Sequence, residues 1–458
     1  MAKVTPLLLS KSNKINQSIV CRAIQKPYKL LKKVDMNNKL IFFLSYIFLL
    51  SSCTSCCKDD SIKDNGVLWK NRICGKSLIF DEGVGYPIYR NTVVFHSTPQ
   101  PWGDVRESIL YGLDTETGKE KWRLTNADFA PKKSLEFNCA FGTYQKENVL
   151  IACDDNYTRN SPKKEGYIYG IDIELGKVLW VTQFPNDYWS IGNTIRGAGK
   201  YAYVNAISDN KSSLLCVNIE TGELSSAIDI VSNVDLPQEI NALNPKYAGF
   251  YFSDIYQNSD GDNMVALSLM PYIPDKPYMS VLYVYNLSKK TKVYTTTVAL
   301  DGSNARIYQL NGKIIIGSQK TAYCYDAYEN KKYWEKSVVL NDGVGSGSGD
   351  DEIMQVLGYD NLALVYCVDR LVCFDINTGA VKYNVLSSHS AANIIDDVIY
   401  QREGSDLQMR DPRTGKELKR IATGVNEQAF SSSRPNGKDG KIFIHSYTDA
   451  YCIKAWGK

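Results

Sequence analysis

Residues 166–180, Gly-Tyr-Ile-Tyr-Gly-Ile-Asp-Ile-Glu-Leu-Gly-Lys-Val-Leu-Trp, constrain the fold more than any other stretch, because the chain keeps rewriting them. They spell a β-hairpin. Apolar residues alternate up to Asp172, a short turn ends at Gly176, and a second arm carries Val178 and Trp180. An Asp at the mouth of such a turn accepts hydrogen bonds from the turn amides, and a Gly supplies the positive φ from which the second strand starts.

Residues 109–122 repeat the pattern, with Asp114, Thr117, Gly118, Lys119 and Trp122 in the same places. Residues 214–224 keep Asn218, Thr221 and Gly222, with Ser226 in the Trp slot, and residues 371–383 keep Asp375, Thr378 and Gly379, with Tyr383 in that slot. Residues 406–419 keep Asp411, Thr414, Gly415 and Lys416. Two copies lose the glycine but hold the frame: 281–294 with Asn286, and 322–334 with Asp326 and Trp334. An eighth first arm lies at 450–454. Strand-like runs such as 313–318 and 362–368 precede most of the hairpins, so each unit has four strands. Units of forty to fifty residues built from four strands are propeller blades.

The eighth first arm has no second arm after it, whereas Gly66, Val67, Leu68 and Trp69 read as a turn glycine and an outer strand with no first arm before them. Pairing the two closes the ring and hides its sheet edges. The expected fold is therefore all-β: an eight-bladed β-propeller of four-stranded antiparallel blades over residues 66–458, its N-terminal strand completing the last blade.

These Asp-x-x-Thr-Gly-Lys-x-x-Trp repeats resemble the pyrroloquinoline-quinone-type (PQQ-like, or quinoprotein-like) β-propeller superfamily. The resemblance covers nearly all of the chain after residue 66. It implies that Trp122, Trp180 and Trp334 pack between neighbouring blades. For activity it implies little, since the superfamily holds dehydrogenases, assembly scaffolds and binding proteins.

Ahead of the propeller, residues 1–35 carry eight Lys or Arg against one Asp and read as a non-native upstream extension, because Met36 begins a complete signal. Lys39 is its positive n-region, 40–50 its apolar h-region, and Leu50-Ser51-Ser52-Cys53 a small-residue cleavage site ending in Cys. That site resembles the bacterial lipobox. The resemblance implies a signal peptide at 36–52, diacylation of Cys53, and a lipidated polar tether at 53–65. No Asp directly follows Cys53, so the enterobacterial inner-membrane retention signal is missing, and Lys58-Asp59-Asp60 resembles the export signals of Bacteroidota surface lipoproteins. The expected address is the outer membrane, on the cell surface or on the periplasmic face.

After Cys53, 44 Lys and Arg stand against 49 Asp and Glu, a net charge of −5, with no basic stripe interleaved with aromatics. That composition argues against a nucleic-acid partner. Of the twelve cysteines, Cys216, Cys324, Cys373 and Cys452 each lie two residues before a turn residue, where Gly112 and Gly170 stand in the first two copies. Equivalent positions in separate blades are too far apart for disulfides, so these read as small apolar residues of the blade contacts. Cys139 and Cys153 flank a hairpin and are the one pair placed to bond across it.

The long connections gather on one expected face. Between second and third strands lie 97–107 with Trp102, 154–165 with Tyr157, and 270–279 with Tyr272 and Tyr278; between blades lie 185–190 with Trp189, 231–246, and the Gly- and Asp-rich 341–352. Insertions on one face of a repeat protein often form its binding face, which makes Trp102, Tyr157, Trp189, Tyr272 and Tyr278 the candidate partner-binding residues.

No catalytic or metal-binding motif stands out. The three histidines, His96, His389 and His445, fall in different blades and read as strand-end or packing residues, and no His-x-His, His-Glu-x-x-His or Gly-x-Ser-x-Gly occurs. The glycine-rich run at 343–351 lacks the Lys-Ser/Thr of a phosphate loop and the alternating oxygens of a calcium loop. A quinone-dependent dehydrogenase of the resembled superfamily needs a calcium-bound quinone at the ring centre, and neither its ligands nor its central cysteine pair can be identified. The sequence therefore points to a non-catalytic, monomeric lipoprotein that uses no cofactor and binds a protein or glycan through its loops. The alternative is a periplasmic scaffold resembling the propeller lipoprotein of the β-barrel assembly machinery; an enzyme acting on carbohydrate or through a quinone is the remoter reading.

Overall fold

The computed structural model describes residues 66–73, 85–97, 109–129, 143–154, 166–185, 187–188, 190–208, 211–231, 235–276, 279–299, 306–339, 352–387, 391–422, 434–446 and 448–457. Those residues form eight antiparallel sheets in a ring. Blade I consists of Ile88–Tyr89, Thr92–Ser97, Ile109–Asp114 and Glu120–Leu124, named from the channel outward. Blade II follows with Thr143–Lys146, Val149–Asp154, Tyr167–Asp172 and Lys177–Gln183, and blade III with Ser190–Ala198, Tyr201–Ile207, Lys211–Asn218 and Leu224–Val231. Blade IV has Tyr247–Phe252, Asn263–Tyr272, Ser280–Asn286 and Thr291–Ala299, with Tyr256–Gln257 as an extra strand on Asn263–Tyr272.

Blade V runs through Arg306–Leu310, Lys313–Ser318, Thr321–Asp326 and Lys332–Ser337, and blade VI through Ile353–Tyr359, Leu362–Cys367, Arg370–Asp375 and Val381–Leu386. Blade VII has Asn393–Ile395, Val398–Glu403, Asp406–Arg410 and Glu417–Ile421. Blade VIII takes Asn436–Lys438, Lys441–His445 and Asp449–Lys454 from the end of the chain and Val67–Arg72 from before blade I.

Burial follows from this radial order. The two middle strands of a blade are covered on both faces by neighbouring blades and are apolar nearly throughout; Thr92–Ser97 and Tyr167–Asp172 are buried at every position. An outer strand has one face on the next blade and one in water, so exposure alternates along the start of Lys177–Gln183, where Leu179 is exposed and Val178 and Trp180 are half-buried. Period-two patterning sorts the two faces.

The hairpin turns repeat in atomic detail. Asp114 Oδ1 accepts from the amides of Glu116 and Thr117 at 3.1 and 2.8 Å and from the Thr117 hydroxyl at 2.9 Å, while Gly118 adopts φ +68°. Burial opposes ionisation of Asp114, but the hydrogen bonds from Thr117 and Glu116 outweigh it and hold the carboxyl below its ordinary range. Asp375 accepts from Asn377 and Thr378 in the same way, before Gly379; Asp172 from Glu174 and Leu175, before Gly176; and Asp411 from Arg413 and Thr414, before Gly415. A register shift lies in the strand just ahead of these turns, between Gly112 and Leu113, Gly170 and Ile171, or Cys373 and Phe374. This bulge lets a tight turn with a positive-φ residue feed a twisted strand pair.

The ring closes through pairing of Val67–Arg72 with Asp449–Lys454, in which Trp69 stands opposite Cys452 and Lys70 opposite Tyr451. Backbone bonds extend the pairing at both ends, from Lys454 N to Gly66 O at 2.8 Å and from Ile73 N to Thr448 O at 2.9 Å. Cys216, Cys324, Cys373 and Cys452 are buried free thiols. Cys139 lies outside the described residues, and Cys153 is buried in Val149–Asp154.

Candidate functional site

Strand direction alternates within a blade, so turns joining first to second and third to fourth strands emerge on one face, and the remaining connections emerge on the other. The first face is compact. Its inner turns reverse the chain at positive-φ residues such as Arg90, Glu147, Asn311 with Gly312, and Asp439 with Gly440. Side chains bind four of the inner turns to the hairpin of an adjacent blade: Arg90 to Glu174 at 3.0 Å, Lys441 to Glu116 at 2.6 Å, Arg413 to Asp360 at 3.0 Å, and Lys313 to Asn377 at 3.0 Å. Lys289 bridges Asp260 and Asp262 there at 3.4 and 2.7 Å, so an ammonium already neutralises that acidic loop.

The long connections join strand ends on the opposite face. Of the five aromatic residues expected to form a binding surface, Trp102, Tyr157, Trp189 and Tyr278 lie outside the described residues, as does the acylation candidate Cys53. Tyr272 ends Asn263–Tyr272 at this face, half-buried and paired in register with Tyr247. A further residue of the face is Tyr188, between blades II and III. Its hydroxyl bonds to Ser213 Oγ at 2.9 Å, and Lys211 Nζ sits 5.5 Å from its ring centroid while reaching Asp229 at 3.4 Å. Sequence reasoning passed over Tyr188 in favour of Trp189 beside it; a tyrosine is tied down this way only by strands that fold brings near.

Between blades the aromatic slot acts as a dowel. Trp122 Nε1 donates to Ile173 O of blade II, Trp180 Nε1 to Ile219 O of blade III, and Trp334 Nε1 to Ile376 O of blade VI, each at 2.9 Å. Each ring lies against the turn glycine of the next blade: Gly176, Gly222 and Gly379 respectively. Its other side rests on the residue opposite it in its own blade, Gly112, Gly170 or Cys324, which accounts for the small residues two positions before the turns. Tyr383 makes the equivalent contact through its hydroxyl to Pro412 O at 2.8 Å, and Tyr294 through its hydroxyl to Asp326 O. Trp69 fills the slot at the closing seam and was not singled out by the repeats, because no first arm precedes it in sequence.

Two of the three histidines lie at that seam. His96 and His445 occupy corresponding second-strand positions of blades I and VIII, both buried, and the Tyr86 hydroxyl bonds to His445 Nδ1. His445 Nε2 has no hydrogen-bond partner among the described residues. Burial, with His96 adding to it, pushes His445 down to about 3, so the imidazole is neutral at physiological pH. His389 lies outside the described residues.

The inner strands line the central channel with a different chemistry. Arg196 Nε of blade III meets Asp254 Oδ1 of blade IV at 2.8 Å. The Arg306 guanidinium of blade V lies 4.5 Å from the centroid of the Tyr251 ring of blade IV. Tyr308, on the same strand as Arg306, is raised above its usual range by burial first and by Asp254 second, with Arg434 and Arg196 pulling the other way. Burial first and Asp254 second likewise raise Tyr144 of blade II, whose ring packs against Gly197 of blade III.

Among the described residues no donor set fits a calcium-bound quinone: their inner strands carry no Trp and no carboxylate, Asp254 is engaged by Arg196, and no group of three or more His, Cys, Asp or Glu could hold a metal ion. No described helix is long and apolar enough to cross a membrane.

No protein-family model matches the chain, and no curated protein matches it by sequence. Solved structures do match. A europium-containing methanol dehydrogenase superimposes with a TM-score of 0.55 at 9% identity, covering 85% of this chain and 93% of its own. The quinohemoprotein alcohol dehydrogenase ADHIIG from Pseudomonas putida HK5 gives 0.57 at 10% identity, covering 86% and 76%. BamB from Moraxella catarrhalis gives 0.49 at 11% identity, covering 84% and 100%. At these identities the likeness is one of architecture, and the fold of this chain is an eight-bladed β-propeller.

Proposed function

We propose that the protein is a non-catalytic lipoprotein of the outer membrane that binds a protein or glycan partner through the loop-rich face of its propeller. The observation that carries this reading is the contrast between the two faces. One is closed by short turns and inter-blade ion pairs that leave little scope for recognition. The other receives most of the long connections, which tolerate variation because the blades beneath them are held by their own dowels. The membrane attachment rests on the lipobox resemblance at Cys53, and a monomeric ring is consistent with a sheet whose edges are closed on each other.

Protease shaving of intact cells carrying a C-terminally tagged protein, followed by affinity capture, tests the reading. Loss of the tag on intact cells supports a surface receptor for an external protein or glycan. Protection that disappears only when the outer membrane is opened supports a periplasmic binding role. A protein recovered entirely in the soluble fraction, or one whose captured partner is retained after the loops at 98–108 and 155–165 are replaced by short turns, would overturn it.

A further inference from the structure

Seven of the eight inner turns of the compact face are two residues long, such as 311–312 in blade V and 360–361 in blade VI. The eighth, in blade IV, runs from 253 to 262 and carries Tyr256–Gln257, which pairs back on Met264 and Asn263. Insertions into a repeat often carry its binding residues. This one lies against the hairpin of blade V, one of the two copies that lack the turn glycine. The contact is reciprocal: the Tyr256 hydroxyl donates to Ala327 O at 2.9 Å, and the Tyr328 hydroxyl donates to Gln257 O at 3.2 Å.

Two tyrosines of this hairpin, Tyr328 and Tyr333, are each 38% exposed, yet both are held. Tyr328 meets the Tyr256 ring edge-on, with centroids 6.0 Å apart, and rests on Gly312 of the inner turn, where a Cβ would come within 3.4 Å of its ring. The Tyr333 hydroxyl donates to Asp326 Oδ2 at 2.7 Å, while Asp326 Oδ1 accepts from the amides of Tyr328 and Glu329 at 2.8 and 2.9 Å. One carboxylate therefore fixes the backbone of one ring and the hydroxyl of the other. With both hydroxyls bonded to the protein, the rings offer solvent mainly carbon, and a ring already held in place loses little rotamer freedom when a ligand stacks on it.

The charges beside the rings differ from those elsewhere on this face, where Arg90, Arg413 and Lys441 are paired with carboxylates. Lys313 Nζ and Lys331 Nζ lie 4.9 and 4.8 Å from the centroid of the Tyr333 ring, and neither makes an ion pair among the described residues. Lys313 donates to Asn377 Oδ1 at 3.0 Å, and Lys331 has the ring alone. A ring face offsets an ammonium charge only in part, so both can take an anion. Size narrows the ligand further. An aromatic side chain has about 150–250 Å² to bury, so two rings at 38% offer roughly 110–190 Å². A stable protein interface needs about 800 Å² from each partner. The smaller area suits a sugar ring or two, whose C–H faces stack on aromatic carbon.

We propose that the compact face at blades IV and V binds an acidic polysaccharide, a uronate unit stacking on Tyr328 with its carboxylate taken up by Lys313 and Lys331 beside Tyr333. The site stands opposite the loop-rich face and does not depend on the partner bound there.

Titration calorimetry of the purified full chain in detergent, with tetragalacturonate and an alginate tetramer as acidic probes and cellotetraose as the neutral one, tests the site. At least one acidic probe should bind saturably at about 1 mM or below, and about tenfold more tightly than cellotetraose. Tyr328→Ala should weaken the acidic probe by about tenfold, and Tyr328→Phe, which keeps the ring, should restore most of the affinity. Lys331→Gln, at an exposed side chain, should remove most of the preference for acidic probes and leave cellotetraose unchanged; this arm stands even if Tyr328→Ala fails to fold. Absence of saturable binding by both acidic probes would overturn the proposal and leave the patch to a protein partner. Tighter binding of cellotetraose, or acidic-probe affinities that neither Tyr328→Ala nor Lys331→Gln changes, would also overturn it.

Discussion

Trp69 Nε1 donates to the carbonyl of Thr115 at 2.9 Å, and through that bond the strand that closes blade VIII is fastened to the first hairpin of blade I. Trp69 is 8% exposed, stands opposite Cys452 in its own sheet, and is joined in this task by Asn71, whose Nδ2 reaches Gly118 O at 2.7 Å. Trp69→Ala removes a buried aromatic ring and should cost about 3–5 kcal/mol. Trp69→Phe keeps most of the packing and loses the hydrogen bond, and should cost less. Urea unfolding with a common slope measures both; equal losses would mean that the hydrogen bond, and not the packing, holds the seam.

Gly118 and Gly199 separate two costs that usually come together. Both have positive φ, +68° and +60°, but a Cβ on Gly118 would lie 2.6 Å from the Trp69 ring, whereas one on Gly199 would meet nothing within 4 Å. Gly199→Ala should therefore lose only the backbone strain, about 1–2 kcal/mol. Gly118→Ala should lose clearly more, since the seam must also open. Parallel thermal melts of the two variants check the order.

Acid should loosen the seam through His445. Its folded value of about 3 lies below the ordinary 6.5, so between these limits the unfolded chain binds a proton that the folded chain refuses. Stability from this group is complete above pH 6.5 and declines as pH falls toward 3, by up to about 1.4 kcal/mol per pH unit. Urea midpoints measured across that window should fall more steeply for the parent than for His445→Gln. The same pH slope in both proteins would assign acid sensitivity elsewhere.

The four cysteines of the blade contacts should be inert in the folded protein. Burial pushes Cys324, Cys373 and Cys452 up to about 12 and Cys216 up to about 11, and thiolate is the reacting form. Alkylation by iodoacetamide near pH 8, read by mass spectrometry of peptides, should leave all four unmodified under native conditions and label them in urea. Labelling of Cys452 alone in the native protein would show that the closing blade opens locally.

Cys53 carries the membrane assignment. Cys53→Ala should leave the precursor unacylated and release it from the membrane fraction, with the propeller still folded. Membrane retention of this variant would point to another anchor.

Repeat-borne features were legible before folding. The Asp–Gly turns, the four-strand unit and the pairing of Val67–Arg72 with the last first arm all followed from local patterning, because a hairpin with a positive-φ glycine is specified by a handful of neighbouring residues. Position in the ring was less accessible. Trp69 was read as part of an outer strand but not as a dowel, and His96 and His445, 349 positions apart, were read as unrelated packing residues though they occupy corresponding positions on either side of the seam and His96 acts electrostatically on His445.

Sequence alone determined that this chain builds eight like blades and where one face must hold its long connections, since both depend on strand order and turn chemistry within single repeats. Only the tertiary structure decided which distant side chains meet: Arg196 with Asp254, Tyr251 with Arg306, Tyr86 with His445. The reason is geometric. Residues on one blade are set by their neighbours in the chain, whereas the channel and the seam are defined by closure of the ring, a property of all the blades together.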